Sequence, residues 1–449
     1  MPINITIIGA GNLGTYTGSA LQKAYRRDQV RLTYFDPYVL HEQLKDTLRG
    51  TKFRYVPADS NFSTIVGDAH YVLLCVPTDQ VQKTLEKVLP HCKAGTIIST
   101  QTSRKSDEAK TIDDYFSKNP SCGLHYAPLH TMCNPRLSIP EAQNFAIIRH
   151  KGPSYETPSE VVAQVTGFYG KLSPKHTVTF ESIKEHDDAT ANTQVLTSIN
   201  FLSAASTYAE QGRFPWLENK FGNPIDTMLF ALAMRAASQE AHIYRGIQYH
   251  SNHGNTIVAK SMNMESALYG MKEGARKDDF RDTLSWAKDQ VFGSERTAPI
   301  LSRNQITRFN GQEEIPNSHY FILQWVAGLA ANNINPFKDL RAKTPMYTSL
   351  LCLADYVFNA EGELDKAIDA FFETKSNGSA SRFREEDFIF HDNLRTWSLG
   401  MLNDSVTIYN RQYEKMRKKI SQQVLDLVHR SRDVVGTCES ALERAIRKK

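Results

Sequence analysis

The stretch Ile7-Ile8-Gly9-Ala10-Gly11-Asn12-Leu13-Gly14, "IIGAGNLG", reads as the corner between a first strand and a first helix. Its glycines at 9, 11 and 14 fit G-x-G-x-x-G. The first makes the turn, the second lets a pyrophosphate come up to the backbone, and the third lets helix pack on strand. Free N–H groups and the positive end of the helix dipole then face the phosphates. Alone the motif is a weak signal, but here its surroundings are complete. The apolar strand INITII (3–8) precedes it and a helix is expected over about 13–26. Asp36 stands 22 residues beyond Gly14, ending the strand VRLTYFD (30–36), where an acid binds the adenine-ribose hydroxyls. No Arg or Lys follows closely, which favours NAD and leaves NADP open.

Further apolar runs continue the pattern. AHYVLLCVP (69–77), GTIIST (95–100), CGLHYAP (122–128), NFAIIRH (144–150) and HTVTF (176–180) read as strands. Alternating with helices, they predict a doubly wound α/β domain over 1–180. From His186 onward helical periodicity dominates, over 187–211, 224–250, 258–275, 277–290, 318–332, 344–359, 363–373 and 392–430. The polar stretch 373–387 reads as a loop. The expected organisation is a Rossmann-type domain (1–180), an all-α substrate and dimerisation domain (181–335) and a helical C-terminal extension (336–449). Helices of that length need a partner face, so a homodimer is expected.

Bulk composition narrows the function. The 449 residues carry a net charge of +4, with no basic block interleaved with aromatics, so no nucleic-acid partner is expected. No run of eighteen apolar residues appears, and the N-terminus enters a strand without a signal-like segment. The expectation is a cytoplasmic protein that does not span a membrane. Six scattered cysteines form no CxxC pair and read as reduced thiols. His125, His130 and Cys133 lack the second half of a ligand pattern, so no metal is expected.

A dinucleotide lies across the carboxyl ends of the strands, so catalytic groups belong just past them. Val76 and Pro77 after one strand, and Thr102 after the next, join Asn12, Leu13, the three glycines and Asp36 as cofactor-binding candidates. Ser103 and His125 are the catalytic candidates. A histidine there can take a hydroxyl proton as hydride leaves the same carbon.

STQTSRK (99–105) followed by a strand-end histidine resembles the prephenate dehydrogenases. So do ESIKEHDDATANTQVLT (181–197), FPW (214–216), MRAASQEAHIY (234–244), AKDQVFG (287–293), IPNSH (315–319), INPF (334–337) and TPMY (344–347), in the order seen in the fungal type. The resemblance spans roughly residues 3–410. It implies a 6-phosphogluconate-dehydrogenase-like helical domain and oxidative decarboxylation of prephenate to 4-hydroxyphenylpyruvate, on the way to tyrosine. It implies His125 as the catalytic histidine with Ser103 beside it, Arg235 as the grip on a substrate carboxylate, and a His186-Asp187 pair. Arg235 suits that role by chemistry too, because an unpaired guanidinium in an apolar helix is costly and arginine grips carboxylates bidentately. Asp187 or Asp188 reads equally well as an N-cap. His242 falls two turns past Arg235 on the same predicted helix and so joins the substrate-binding candidates.

The chain also departs from the family pattern. Where many members read His-Pro-Met-x-Gly-Pro, this one reads HYAPLHTMCNP (125–135), so His130 is the alternative functional histidine. Ser198 replaces a second family histidine. Arogenate is the rival substrate and a non-catalytic dinucleotide sensor the rival class. A 3-hydroxyacid dehydrogenase would want a lysine within 187–211, and none is there.

Overall fold

The computed structural model describes residues 2–26, 28–39, 41–49, 52–132, 144–172, 177–212, 223–248, 252–294, 296, 298–309, 316–373, 380–420 and 427–447. It forms two compact units, Met1–Thr190 and Ala191–Lys449.

In the first unit, β1 (Ile3–Ile8), β2 (Val30–Phe35), β3 (Phe53–Val56), β4 (Tyr71–Leu74), β5 (Ile97–Thr100) and β6 (His125–Tyr126) form one parallel sheet. Its order is β3-β2-β1-β4-β5-β6, the doubly wound arrangement, reversing direction between β1 and β4. Alternation along each strand sends side chains to opposite faces. Ile5, Ile7, Leu32, Tyr34 and Leu73 pack with Leu21 of α1 (Asn12–Ala24) and Leu44 of α2 (His41–Thr47). Ile8, Phe35, Val72, Leu74 and Ile98 pack with α3 (Phe62–Val66), α4 (Thr78–Val88) and α5 (Ser106–Lys118). Burial on both faces explains why β4 is wholly apolar.

A second sheet, β7-β8-β9, consists of Leu129–Met132, Asn144–Ile148 and Thr177–Phe180. β7 runs antiparallel and β9 parallel to β8. Helix α6 (Ser159–Gly170) contributes Val161, Val165 and Tyr169 to the core beneath Phe145 and Ile147. The last expected strands therefore belong to a separate mixed sheet rather than to the doubly wound one. β3 and β7 escaped the sequence reading because FRYV and LHTM are too short and too polar to stand out. Helix α7 (Ile183–Thr190) ends the unit.

The second unit is helical throughout its described residues. It opens with a π-helical turn, Ala191–Val195, leading into α8 (Leu196–Gln211). Next come α9 (Pro224–Ala237), α10 (Ala241–Gln248), α11 (Asn252–Glu273), α12 (Lys277–Phe292) and α13 (Arg303–Thr307). The rest are α14 (Tyr320–Ala331), α15 (Pro345–Asn359), α16 (Glu363–Phe372), α17 (Ala380–Leu402), α18 (Val406–Lys419) and α19 (Ser431–Arg447). α8 and α14 are buried on nearly every side and form the centre.

Three sequence expectations need correction here. The helix expected over 224–250 breaks at Ser238–Glu240, so His242 lies on α10 and does not share a helix with Arg235. The helix expected over 392–430 breaks at Asn403–Ser405, where Asp404 takes a positive φ of 50° and the Ser405 hydroxyl caps α18 at the Ile408 N–H. These short polar residues bond the backbone locally and so compete with helix continuation. Finally, half of the expected loop 373–387 is helix, since α17 begins at Ala380.

Candidate active site

The glycine corner has the geometry its sequence demands. Gly9 has φ +98°, and a Cβ there would lie 2.6 Å from the Cys75 carbonyl oxygen. A Cβ on Gly14 would lie 2.0 Å from the Gly9 carbonyl oxygen, so only glycine lets α1 start this close to β1. Gly11 faces open space, with nothing within 4 Å of a built Cβ. Asn12 is exposed and Leu13 half-buried beside it. The corner is thus rigid at Gly9 and Gly14 and accessible at Gly11, the arrangement a pyrophosphate requires.

Asp36 ends β2 one row from this turn. Its Oδ2 accepts from the Ala10 N–H at 2.7 Å, and its Oδ1 from the N–H groups of Tyr38 at 2.8 Å and Val39 at 3.2 Å. The carboxylate is therefore held at the ribose position by backbone donors. Past β4, Val76 is half-buried and Pro77 exposed at the start of α4. These residues fit a dinucleotide.

The carboxyl end of β5 carries a buried polar cluster. Lys105 is fully buried, its Nζ bonded to Thr100 O at 3.0 Å and Thr102 Oγ1 at 3.1 Å, and paired with Glu108 Oε1 at 3.1 Å. Glu108 also accepts from the Tyr126 hydroxyl at 2.7 Å and from Thr102 at 2.7 Å. Burial drives the Lys105 ammonium below its ordinary value, opposed by Glu108 and Asp187. Burial likewise raises the Tyr126 phenol, with Glu108 adding to the rise. Ser103 sits half-buried in the bend between Thr102 and Lys105.

His130 lies on β7, in register with Ala146 of β8, and is almost fully buried. Its Nδ1 is 3.0 Å from His186 Nε2 on α7. His186 Nδ1 is in turn 2.9 Å from Asp187 Oδ1. The Asp187 carboxylate also accepts from the N–H groups of Lys105 and Ser106, each at 3.1 Å, at the start of α5. Asp187 thus caps α5 from another element, and the cap expected of it acts on a different helix from its own. Burial, then His186 and Lys105, hold His130 well below the usual histidine range. Next to it, Gln101 bonds Thr17 of α1 and Thr131 of β7, which ties this strand to the dinucleotide helix.

His125 stands elsewhere. It is the first residue of β6 and pairs with Ile97, the first residue of β5. That places it three residues, roughly 10 Å, below the carboxyl edge at Thr100. Its Nδ1 is buried without a partner among the described residues. The premise that His125 follows a strand is therefore corrected: the histidine that follows β6 is His130. The continuation Cys133–Pro135 lies outside the described residues, as does FPW (214–216).

In the second unit, Arg235 is 3% exposed near the end of α9. Its charge reaches Tyr244 and Glu439; burial raises both groups and the guanidinium offsets part of the rise. His242 is exposed on α10. Ser198, at the position of the family's second histidine, accepts from Gln248 Nε2 at 2.8 Å.

Lys105, Glu108, Gln101 and the Asp187 cap were not singled out from sequence. A Lys105–Glu108 pair at i,i+3 looks like an ordinary exposed helix pair, and only tertiary burial distinguishes it.

A family model for the 6-phosphogluconate dehydrogenase C-terminal domain matches residues 195–439, and one for ketopantoate reductase PanE/ApbA matches residues 5–124. Prephenate dehydrogenase [NADP(+)] of Saccharomyces cerevisiae is 25% identical over 92% of this chain and 89% of its own length. The probable prephenate dehydrogenase [NADP(+)] of Schizosaccharomyces pombe is 24% identical over 91% of both. Among solved structures, prephenate dehydrogenase from A. aeolicus, in complex with hydroxyphenyl propionate and NAD+, is similar at 12% identity and a TM-score of 0.48, covering 64% of this chain and 96% of that one. The fungal relatives carry the name that the motif order implied. With its model matched across more than half of the sequence, the chain belongs to the family of dehydrogenases that carry this form of the 6-phosphogluconate dehydrogenase C-terminal domain.

Proposed function

We propose that this chain is a prephenate dehydrogenase, converting prephenate to 4-hydroxyphenylpyruvate and carbon dioxide with reduction of NAD(P), in tyrosine formation. The observation that carries this reading is the match along nine-tenths of the chain to two fungal proteins of that name. When bound, the dinucleotide supplies the hydride acceptor. The glycine corner and the α1 N-terminus hold its phosphates, Asp36 its ribose hydroxyls, and Asn12, Leu13, Val76, Pro77 and Thr102 line its path. Asp36 offers no cation to a 2′-phosphate, so this chain uses NAD in preference to NADP, unlike the cofactor named for its relatives.

His130 is the proton acceptor in this reading, and His125 is a residue of the sheet interior. A neutral imidazole takes the proton of the ring hydroxyl as hydride leaves the same carbon. The carboxylate on the opposite ring carbon then departs as carbon dioxide. Its bonding electrons pass through the ring to the oxygen, and His130 returns the proton to the resulting phenolate. Aromatisation drives the step, so the protein's share is orientation and proton handling. Ser103, in the bend past β5, is the hydroxyl partner. Arg235 is the proposed carboxylate grip, by resemblance and by the bidentate fit of a guanidinium to a carboxylate. His242 has lost the argument of a shared helix face and is left out of the machinery.

The amphipathic helices of the second unit support a homodimer. No helix among the described residues is long and apolar enough to cross a membrane, and a cytoplasmic location suits the dinucleotide chemistry.

The test is a crossed steady-state assay of purified chain with prephenate and arogenate, each with NAD+ and NADP+. Turnover of prephenate with NAD+ is the expected result. Reduction with arogenate alone would move the assignment to arogenate dehydrogenase. Dinucleotide binding without any turnover would make the chain a sensor.

A further inference from the structure

Which nitrogen of His130 carries its proton decides whether it can act as a base, and a short series of hydrogen bonds fixes the answer. Asp187 accepts the backbone N–H groups of Lys105 and Ser106 at the N-terminus of α5, a place that favours an ionised carboxylate. Burial pulls the Asp187 acid upward, but bonds from His186, Ser106 and Lys105 outweigh it and leave the group below its ordinary value. An ionised carboxylate has no proton to give, so at 2.9 Å it is His186 Nδ1 that donates. Neutral His186 then presents a lone pair at Nε2. The contact at 3.0 Å to His130 requires one donor, so His130 Nδ1 carries the hydrogen. His130 Nε2 is left with its lone pair.

His186 is fully buried, and both its nitrogens are engaged within the first unit, Nε2 also meeting the Thr190 hydroxyl at 3.4 Å. It has no nitrogen left over for a substrate. The charged and titratable groups facing this chain of bonds are few. His130 meets His186 and Lys105; His186 meets Asp187, Lys105 and Glu108.

We infer that Asp187 and His186 are positioning residues: the series α5 N-terminus, Asp187, His186, His130 locks His130 in the tautomer whose Nε2 accepts the substrate hydroxyl proton. This rests on the activity proposed above and changes the role the resemblance gives to His186, from substrate contact to support. It also gives the polar residues at the start of α5 a part in the chemistry at a distance.

Two measurements test it. The first is the long-range proton–nitrogen spectrum of histidine-labelled protein near pH 7.5, with the His130 ring assigned by its loss in His130→Ala. Protonated Nδ1 and bare Nε2 are expected, and Nε2–H in the wild type would overturn the inference whether or not prephenate is turned over. The second is kinetic. Asp187→Asn should lower kcat by about 100-fold or more, with prephenate KM and NADH affinity within about threefold. Removing the anion also lowers proton affinity along the series, so the acid limb of the kcat profile should move to lower pH. Because Asp187 also caps α5, a second pair guards against misfolding. His186→Gln keeps an acceptor for the His130 N–H and should exceed His186→Leu in kcat by about tenfold or more. Equal activity of Gln and Leu variants, or wild-type kcat in Asp187→Asn, would overturn the positioning role while leaving the assigned reaction intact. Absence of prephenate turnover in the wild type would overturn the reaction, and with it that role.

Discussion

At the scale of single residues, the site turns on which polar groups are buried and what they face. His130→Ala should cut kcat by about 100-fold or more with little change in NADH affinity, whereas His125→Ala, at the entry end of β6, should leave kcat within about threefold. Steady-state kinetics with prephenate and fluorescence titration of NADH check both. Burial also holds His130 and His186 below the ordinary histidine value. The unfolded chain therefore takes up protons near pH 6.5 that the folded chain refuses, and stability is lost as pH falls through that value. The slope approaches about 1.4 kcal/mol per pH unit for each such group. Urea unfolding between about pH 8 and 5 should show this fall, and His130→Gln should reduce its slope. Lys105→Met should cost about 3 kcal/mol by urea titration, because it strands the Glu108 carboxylate in the interior.

At the scale of elements, the strand-to-helix corner separates folding from binding. Gly14→Ala would put a methyl group against the Gly9 carbonyl and push α1 away from β1. It should lower the melting temperature and abolish dinucleotide binding together. Gly11→Ala meets no protein atom, so it should keep the melting temperature while weakening NADH binding by about tenfold, since the backbone there must admit a pyrophosphate. Thermal melts and NADH titrations of the two variants give the comparison. Asp404 and Ser405 make the same point for helices. A polar triplet that caps a new helix lies inside a stretch whose apolar spacing reads as unbroken.

At the scale of the whole molecule, the helical unit's amphipathic surfaces are the basis for a homodimer. Light scattering at micromolar concentration should return twice the 50.8 kDa chain mass. A value equal to one chain would remove that part of the proposal. Both the parallel sheet and the helical unit were legible in outline, because long periodic runs report burial directly. The second sheet was not, since four- and five-residue strands carry too little periodicity to show which neighbour they pair with.

Sequence alone determined the dinucleotide corner, the acid at the end of β2 and the family. Each rests on residue types at fixed local spacing, and local spacing survives in one dimension. Tertiary structure decided which histidine serves. His125 and His130 are five residues apart and chemically alike, and only strand register shows that one enters the sheet while the other leaves it beside His186. The same holds for Lys105, Glu108 and Asp187. Their roles come from burial and from partners up to 82 positions away, and chain order does not encode that proximity.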